Sequence, residues 1–375
     1  MDPFMRAIVT GQVGVDKGPY LREVSAAARS MGLDLKVCSI GEMMYAEAPD
    51  VPPGRILNLP MSRLNSLRRS VFKEVMRFAS RHEHVLVNTH ATFRWHHGLF
   101  AAFDFDQMKE FAADIYVTLL DNAQNVHARL LQDHELEHTL KDIMVWREEE
   151  MLATEILAKI ARGHGHYYVM GRGRGPASAE AFAKLLFARR MKKVYLSFPM
   201  THVMDQPQTL AQIEAFKADM RRHFVCFDPA DVDEFALLAA AEGRERAFDM
   251  DTDAGSVRIK PSEVESIKPD IMGQTYARDF KMIDQSDMIV SLVPALPGGK
   301  PALSSGVERE LQHAFEAGKE VVVIWQAKAT ASPFVTQTAS ALFRTPAEAI
   351  EHFMKKGYLA APETRKRAGN SLFDS

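Results

Sequence analysis

Two carboxylates, Glu308 and Glu310, follow the small residues Ser304-Ser305-Gly306 and open a segment that carries Val307, Leu311, Ala314 and Phe315 on one helical stripe. An ionised carboxylate beside a sugar carbon can act as a nucleophile, and a first helical turn helps to keep it ionised through the helix dipole. At about 100° per residue each acid lies roughly 80° from the centre of the stripe, on opposite edges, so periodicity leaves both open. On an arbitrary helix both are ordinary acids of a solvated first turn.

A second stretch with chemical potential is Gly11-Gln12-Val13-Gly14-Val15-Asp16-Lys17-Gly18, between a strand-like run from Arg6 to Thr10 and an alanine-rich helical run ending near Gly32. Glycines at such a place let backbone N–H groups face a phosphate at a helix start, with Lys17 as the cation. The rule Gly-x4-Gly-Lys-Ser/Thr asks for glycine where Asp16 stands and for a magnesium-binding hydroxyl where Gly18 stands. Asp16 adds negative charge beside the phosphates, and Pro19 removes one N–H donor.

The elements that must position these residues alternate. Strands are predicted at 33–40, 85–88, 114–120 and 167–170, with helices at 61–80 and about 134–161 between them. After a helix from 177 to 190 the pattern resumes with strands at 192–196, 224–227, 287–293 and 321–325, helices at 208–223 and 276–285, and the Glu308/Glu310 helix. Strands alternating with helices make the fold class α/β, with two parallel-sheet domains.

The run Ser-Gly-x-x-x-Glu-Leu-x-x-Ala, with Asp279 and Asp287 before it and Gly318-Lys319 and a valine-rich strand after it, resembles the nucleoside 2-deoxyribosyltransferase superfamily, which includes the 2'-deoxynucleoside 5'-phosphate N-hydrolases. The resemblance covers about residues 191 to 326 and implies a flavodoxin-like/Rossmann-like fold. It implies Glu310, not Glu308, as the nucleophile. It further implies that Tyr195, in Val194-Tyr195-Leu196-Ser197-Phe198-Pro199, positions Glu310, that Asp279 orients or protonates the base, and that Ser304, Ser305 and Gly306 line the sugar-phosphate end. Ser304 stands where transferases of free nucleosides carry aspartate and the monophosphate N-hydrolases carry serine. That implies a 5'-phosphorylated substrate, since a hydroxyl donates to a phosphate that a carboxylate repels. The turn after Tyr195 lacks the family's basic, glycine-rich phosphate loop, which leaves Ser304, His202 or the insertion described below to contact the phosphate.

Over roughly residues 5 to 188, Val9-Thr10-Gly11 through Lys17, Asn88-Thr89-His90-Ala91 and Ala128-Arg129-Leu130-Leu131 with Asp133 resemble archaeal-type adenylate kinases, a P-loop nucleotide kinase-like fold. The resemblance implies that Gly11, Gly14, Lys17, Arg63 and Arg129 hold the phosphates of ATP or another nucleotide. Asn88 stands at the family's acidic, metal-supporting position, and the lid reads His134-Glu135-Leu136-Glu137-His138 where arginines belong. Phosphoryl transfer depends on positive charge around the γ-phosphate, so a degenerate domain that binds without efficient turnover is expected.

The resulting division is a P-loop domain at 1–188, a deoxyribosyltransferase-like domain at 189–358 with an insertion at about 231–274, and a polar tail at 359–375. A charged insertion of that length reads as a lid or an oligomer contact. Its Asp249, Asp251 and Asp253 lack the glutamate that would complete a calcium loop and read as solvated. The basic turn Gly171-Arg172-Gly173-Arg174-Gly175-Pro176 reads as a solvated loop. His96-His97 and the pair His164 and His166 have no ligand pattern around them, so no metal is expected.

Composition sets the outer bounds. The 375 residues are 46% hydrophobic and 25% charged with a net charge of −3, a globular make-up with no broad cationic field for nucleic acid. Cys38 and Cys226 lie in apolar runs and read as buried thiols of a cytoplasmic protein. With no long apolar span, no membrane association is expected. The expected function is cleavage of the N-glycosidic bond of a 2'-deoxynucleoside 5'-monophosphate or related nucleotide, by hydrolysis or base transfer through a glycosyl-Glu intermediate. That chemistry requires no cofactor, and a homo-oligomer gated by nucleotide at the P-loop fits it. Rival readings are an active nucleoside monophosphate kinase and a nucleotide-sensing defence or signalling effector that cleaves NAD.

Overall fold

A computed structural model describes residues 4–95, 98–134, 138–200, 203 and 205–359. The first unit runs β1 Met5–Thr10, α1 Lys17–Ser30, β2 Leu35–Ser39, α2 Ile40–Glu47, α3 Met61–Ala79, β3 His84–Asn88, β4 Thr92–Trp95, β5 Gly98–Ala101, α4 Phe105–Phe111, β6 Ile115–Leu120, α5 Ala123–His134, α6 Leu140–Arg162, β7 Tyr167–Gly171 and α7 Pro176–Phe187. The second runs β8 Lys193–Ser197, α8 Pro207–His223, β9 Val225–Phe227, α9 Phe235–Ala241, β10 Phe248–Thr252, β11 Gly255–Ile259, α10 Pro261–Asp284, β12 Met288–Val293, α11 Ser305–Glu316, β13 Glu320–Trp325, α12 Pro333–Thr338, β14 Ala341–Phe343 and α13 Pro346–Lys355.

Each unit is built on a parallel five-stranded sheet. The first has the order β2-β3-β1-β6-β7 and the second β14-β13-β12-β8-β9. Every residue of β6 and of β12 is buried, the continuous apolar run expected of strands covered by helices on both faces. The chain is therefore two α/β parallel-sheet domains, P-loop kinase-like and then flavodoxin-like. In the second sheet the order, counted by appearance, is the flavodoxin-like 2-1-3-4-5, with its switch point between β8 and β12.

The predicted helix at 276–285 is the end of a much longer one, because α10 begins at Pro261 and continues through Pro269. Val264, Ile267 and Ile271 are buried on one stripe, and packing of α10 on α6 and α9 outweighs the lost hydrogen bond at Pro269. The predicted helix at 134–161 is α6, preceded by the separate α5. The Thr139/Asp142 capping box fixes where α6 starts.

Part of the insertion forms the seam between the sheets. Apolar residues of both units form one continuous core, and a salt bridge crosses it. Arg147 Nη2 lies 2.5 Å from Glu234 Oε1, with side chains 3% and 1% exposed. Glu234 also accepts from Ala123 N at 3.2 Å, and Asp233 N donates to Asn122 Oδ1 at 2.7 Å. Beside them, a Cβ at Gly171 would stand 2.5 Å from the Asp231 Cβ, so only glycine allows this approach.

Removing one partner of a buried ion pair strands the other charge at a cost of about 3–5 kcal/mol, whereas apolar replacement of both is often neutral. Glu234→Gln should therefore destabilise the chain severely in urea titration, and Arg147→Met combined with Glu234→Leu should recover most of the loss.

Candidate functional site

Alternate residues of a strand share a face, so β8 presents Tyr195 and Ser197 together at the switch point. The Tyr195 hydroxyl donates to Glu310 Oε1 at 2.9 Å and the Ser197 hydroxyl to Oε2 at 2.6 Å. Glu308 is exposed. Glu310 lies in the second turn of α11, not the first as the sequence suggested, and beyond the first turn the helix dipole offers it little. Burial, reinforced by the neighbouring Asp279 charge, pushes its carboxyl up to about 8, against the pull of the Ser197 and Tyr195 hydroxyls. The Tyr195 phenol, fully buried, is pushed well above its ordinary value by burial and then by the same two acids, and stays a donor.

Asp279, near the end of α10, accepts on Oδ1 from Arg278 Nε at 3.0 Å and Nη2 at 2.9 Å. Burial raises its carboxyl despite that guanidinium. Arg278 Nη1 also donates to Val232 O at 2.6 Å, which ties the insertion to the site. Ser304 is the N-cap of α11, its Oγ accepting from Val307 N at 3.2 Å, with Ser305 and Gly306 exposed in the first turn. His202 lies outside the described residues. Ser197 and Arg278 were not singled out from the sequence; the signals were there, two residues along the strand from Tyr195 and next to Asp279.

At the other sheet, Lys17 is buried and its Nζ donates to Gly11 O at 2.7 Å, 3.3 Å from His90 Nδ1. Burial lowers this ammonium to about 8. The Gly11 N–H donates to Glu150 Oε1 at 2.9 Å, and Glu150 also accepts from Ala91 N, Thr92 N and the Thr92 hydroxyl at 2.8, 2.7 and 2.8 Å. Gly11 is required where it stands, since a Cβ there would lie 2.7 Å from Leu119 O. Asp16, at the motif's glycine position, is forced to a φ of 55°, which costs a non-glycine residue strain.

Arg129 reaches this loop. It donates to Gly14 O and Asp121 Oδ2, both at 2.7 Å, and to Asp253 Oδ2. Arg63 does not; it stands at an exposed position of α3 and pairs with Asp50 at 2.7 Å. Two expectations of solvated residues are corrected here. Asp253 pairs with both Arg129 and Arg172, and Arg172 lies 2.5 Å from Asp253, 3.4 Å from Asp16 and 3.6 Å from Asp121. The hairpin of β10 and β11 carries Asp253 across the seam, which no local pattern reveals.

Residues 10–147 match an AAA domain family, a span that begins at the end of β1 and includes the P-loop. Among solved structures, the chain is similar to a 2-deoxyribosyltransferase from the psychrotolerant bacterium Bacillus psychrosaccharolyticus, with 15% identity, a TM-score of 0.28, and coverage of 45% of this chain and 98% of that one. At that score and identity neither a shared site nor a shared activity follows. No curated protein matches the chain. No helix among the described residues is long and apolar enough to cross a membrane.

Donors to a carboxylate stabilise its charged form, so Ser197→Ala should raise the midpoint of Glu310 further above about 8 in a carbon-13 carboxyl titration. The folded-state value exceeds the ordinary 4.5, so the protonated Glu310 contributes stability that is full below 4.5 and lost as pH rises through about 8. The melting temperature of Glu310→Gln relative to wild type should accordingly climb across that window.

Proposed function

We propose that the second unit cleaves the N-glycosidic bond of a 2'-deoxynucleoside 5'-monophosphate or a related nucleotide. The observation that carries this reading is a single carboxylate, Glu310, gripped on both oxygens by Tyr195 and Ser197 at the switch point between β8 and β12, with Asp279 beside it. Glu310 attacks the anomeric carbon as the C–N bond breaks and its electron pair leaves with the base, forming a glycosyl ester. Asp279, held in place by Arg278, orients the departing base, which takes its proton from water. Water or a second base then resolves the ester.

The 5'-phosphate preference rests on Ser304. Its oxygen accepts from Val307 N, which leaves the O–H free to donate to a phosphate at the start of α11, where N–H groups and the helix dipole also favour an anion. In the first unit the reading is a nucleotide held at Lys17 and Arg129, which the AAA domain match over residues 10–147 supports, with little turnover expected from Asp16, Gly18 and Asn88.

Base release from deoxynucleoside monophosphates tests the site. Glu310→Gln should lower the rate by about 10³-fold or more and Glu308→Gln by less than about threefold; loss confined to Glu308→Gln would overturn the assignment. In wild type the rate should rise with pH through about 8, as Glu310 loses its proton. Ser304→Asp keeps a good helix cap while adding a charge, so it should fold and shift preference from the monophosphate to the unphosphorylated nucleoside. Equal efficiency of wild type on both substrates would refute the phosphate reading. Calorimetry should show nucleotide binding weakened by Lys17→Ala, and efficient phosphorylation of a nucleoside monophosphate would contradict the low-turnover reading.

A further inference from the structure

The tip of the β10–β11 hairpin places one carboxylate, Asp253, on two guanidinium groups that stand beside the P-loop. Arg129 also holds the Gly14 carbonyl of that loop, and Arg172 also faces Asp16 at its helix end. Paired, planar guanidinium forks next to a glycine loop suit phosphate oxygens better than any other common ligand. A carboxylate is the protein group that imitates such a ligand. We propose that Arg129, Arg172 and the P-loop form one phosphate site, that Asp253 fills it when nucleotide is absent, and that a nucleotide's phosphate chain binds by displacing the hairpin tip. This deepens the reading of the first unit as nucleotide-binding and rests on it.

Of the acids around the two arginines, Asp253 is the one built to leave. The Asp121 side chain is 3% exposed and bonds within its own unit to Asn122 N and Asn125, whereas the Asp253 side chain is 38% exposed. The hairpin's root is anchored by buried Phe248, Val257 and Ile259, while Gly255 and Ser256 at the tip are exposed. The tip is a two-residue turn, Asp253-Ala254, closed by the Thr252 hydroxyl on Gly255 O at 2.7 Å. Lifting such a tip exposes little apolar surface. With Asp253 seated, the two guanidinium groups face three carboxylates, Asp16, Asp121 and Asp253; without it they face two, so the site that meets an incoming phosphate is less negative by one charge. Arg172 Nε, buried and without a hydrogen-bond partner among the described residues, is a donor that the present arrangement leaves unused.

The test is titration of ATP, and separately of tripolyphosphate, into the full-length chain as wild type, Asp253→Asn and Lys17→Ala, together with hydrogen exchange of wild type with and without saturating ATP. The expected result is at least about tenfold tighter binding of both probes by Asp253→Asn, because an internal competitor has lost its charge. The amides of residues 252–256 in wild type should exchange faster when ATP is bound. If wild type binds ATP and Lys17→Ala weakens it, but Asp253→Asn binds no more tightly or the hairpin amides do not change, the displacement is overturned while the nucleotide-binding reading stands. If neither wild type nor Asp253→Asn binds ATP, or if Lys17→Ala binds it as well as wild type, that reading falls and the displacement with it. Should Asp253→Asn fail to fold, the exchange experiment on wild type decides.

Discussion

A buried salt bridge, Arg147 to Glu234, holds the two sheets in one arrangement. Both side chains are almost wholly withdrawn from water, and each has further polar partners, Asp121 O for the arginine and Ala123 N for the glutamate. A charge pair with no water to fall back on tolerates little misplacement. Its position propagates to both candidate sites. Asp121, whose carbonyl receives Arg147, gives its carboxylate to Arg129 beside the P-loop. On the other side, the Glu234 charge is felt by Arg278, which holds both the insertion and Asp279.

Two glutamates show how environment separates structure from chemistry. Glu150 accepts from four donors, about the full capacity of a carboxylate, and so knits the first loop of the sheet to the turn after β3. Glu310 accepts from two hydroxyls, one per oxygen. That is enough to fix its direction and leaves lone pairs free to meet an electrophile. Its raised pKa follows from burial first and then from the neighbouring Asp279 charge, against the pull of those two donors.

One departure from the phosphate-loop rule, Asp16, is knitted into this chain's own seam. Asp16 takes a left-handed conformation that glycine would adopt freely, and its carboxylate lies 3.4 Å from Arg172. Arg172 in turn meets the hairpin from the second unit. The residue that departs from the motif thus joins a charge cluster spanning the two units.

The sequence by itself determined the two parallel sheets, because runs of buried β-branched residues alternating with amphipathic helices have few other ways to hide their apolar faces. It also determined that acids stand beside small residues after β12, but the helical wheel left Glu308 and Glu310 equivalent. The family resemblance favoured Glu310, and the tertiary structure shows how the two acids differ: one edge of α11 faces Tyr195 and Ser197, more than a hundred residues earlier, and the other is exposed. The insertion was legible as long and charged and nothing more. That its Glu234 would be buried against Arg147 and its Asp253 seated on Arg129 and Arg172 was decided by the docking of one unit on the other. Such contacts join residues far apart in the chain, and a charge carries no local mark of the partner it will meet.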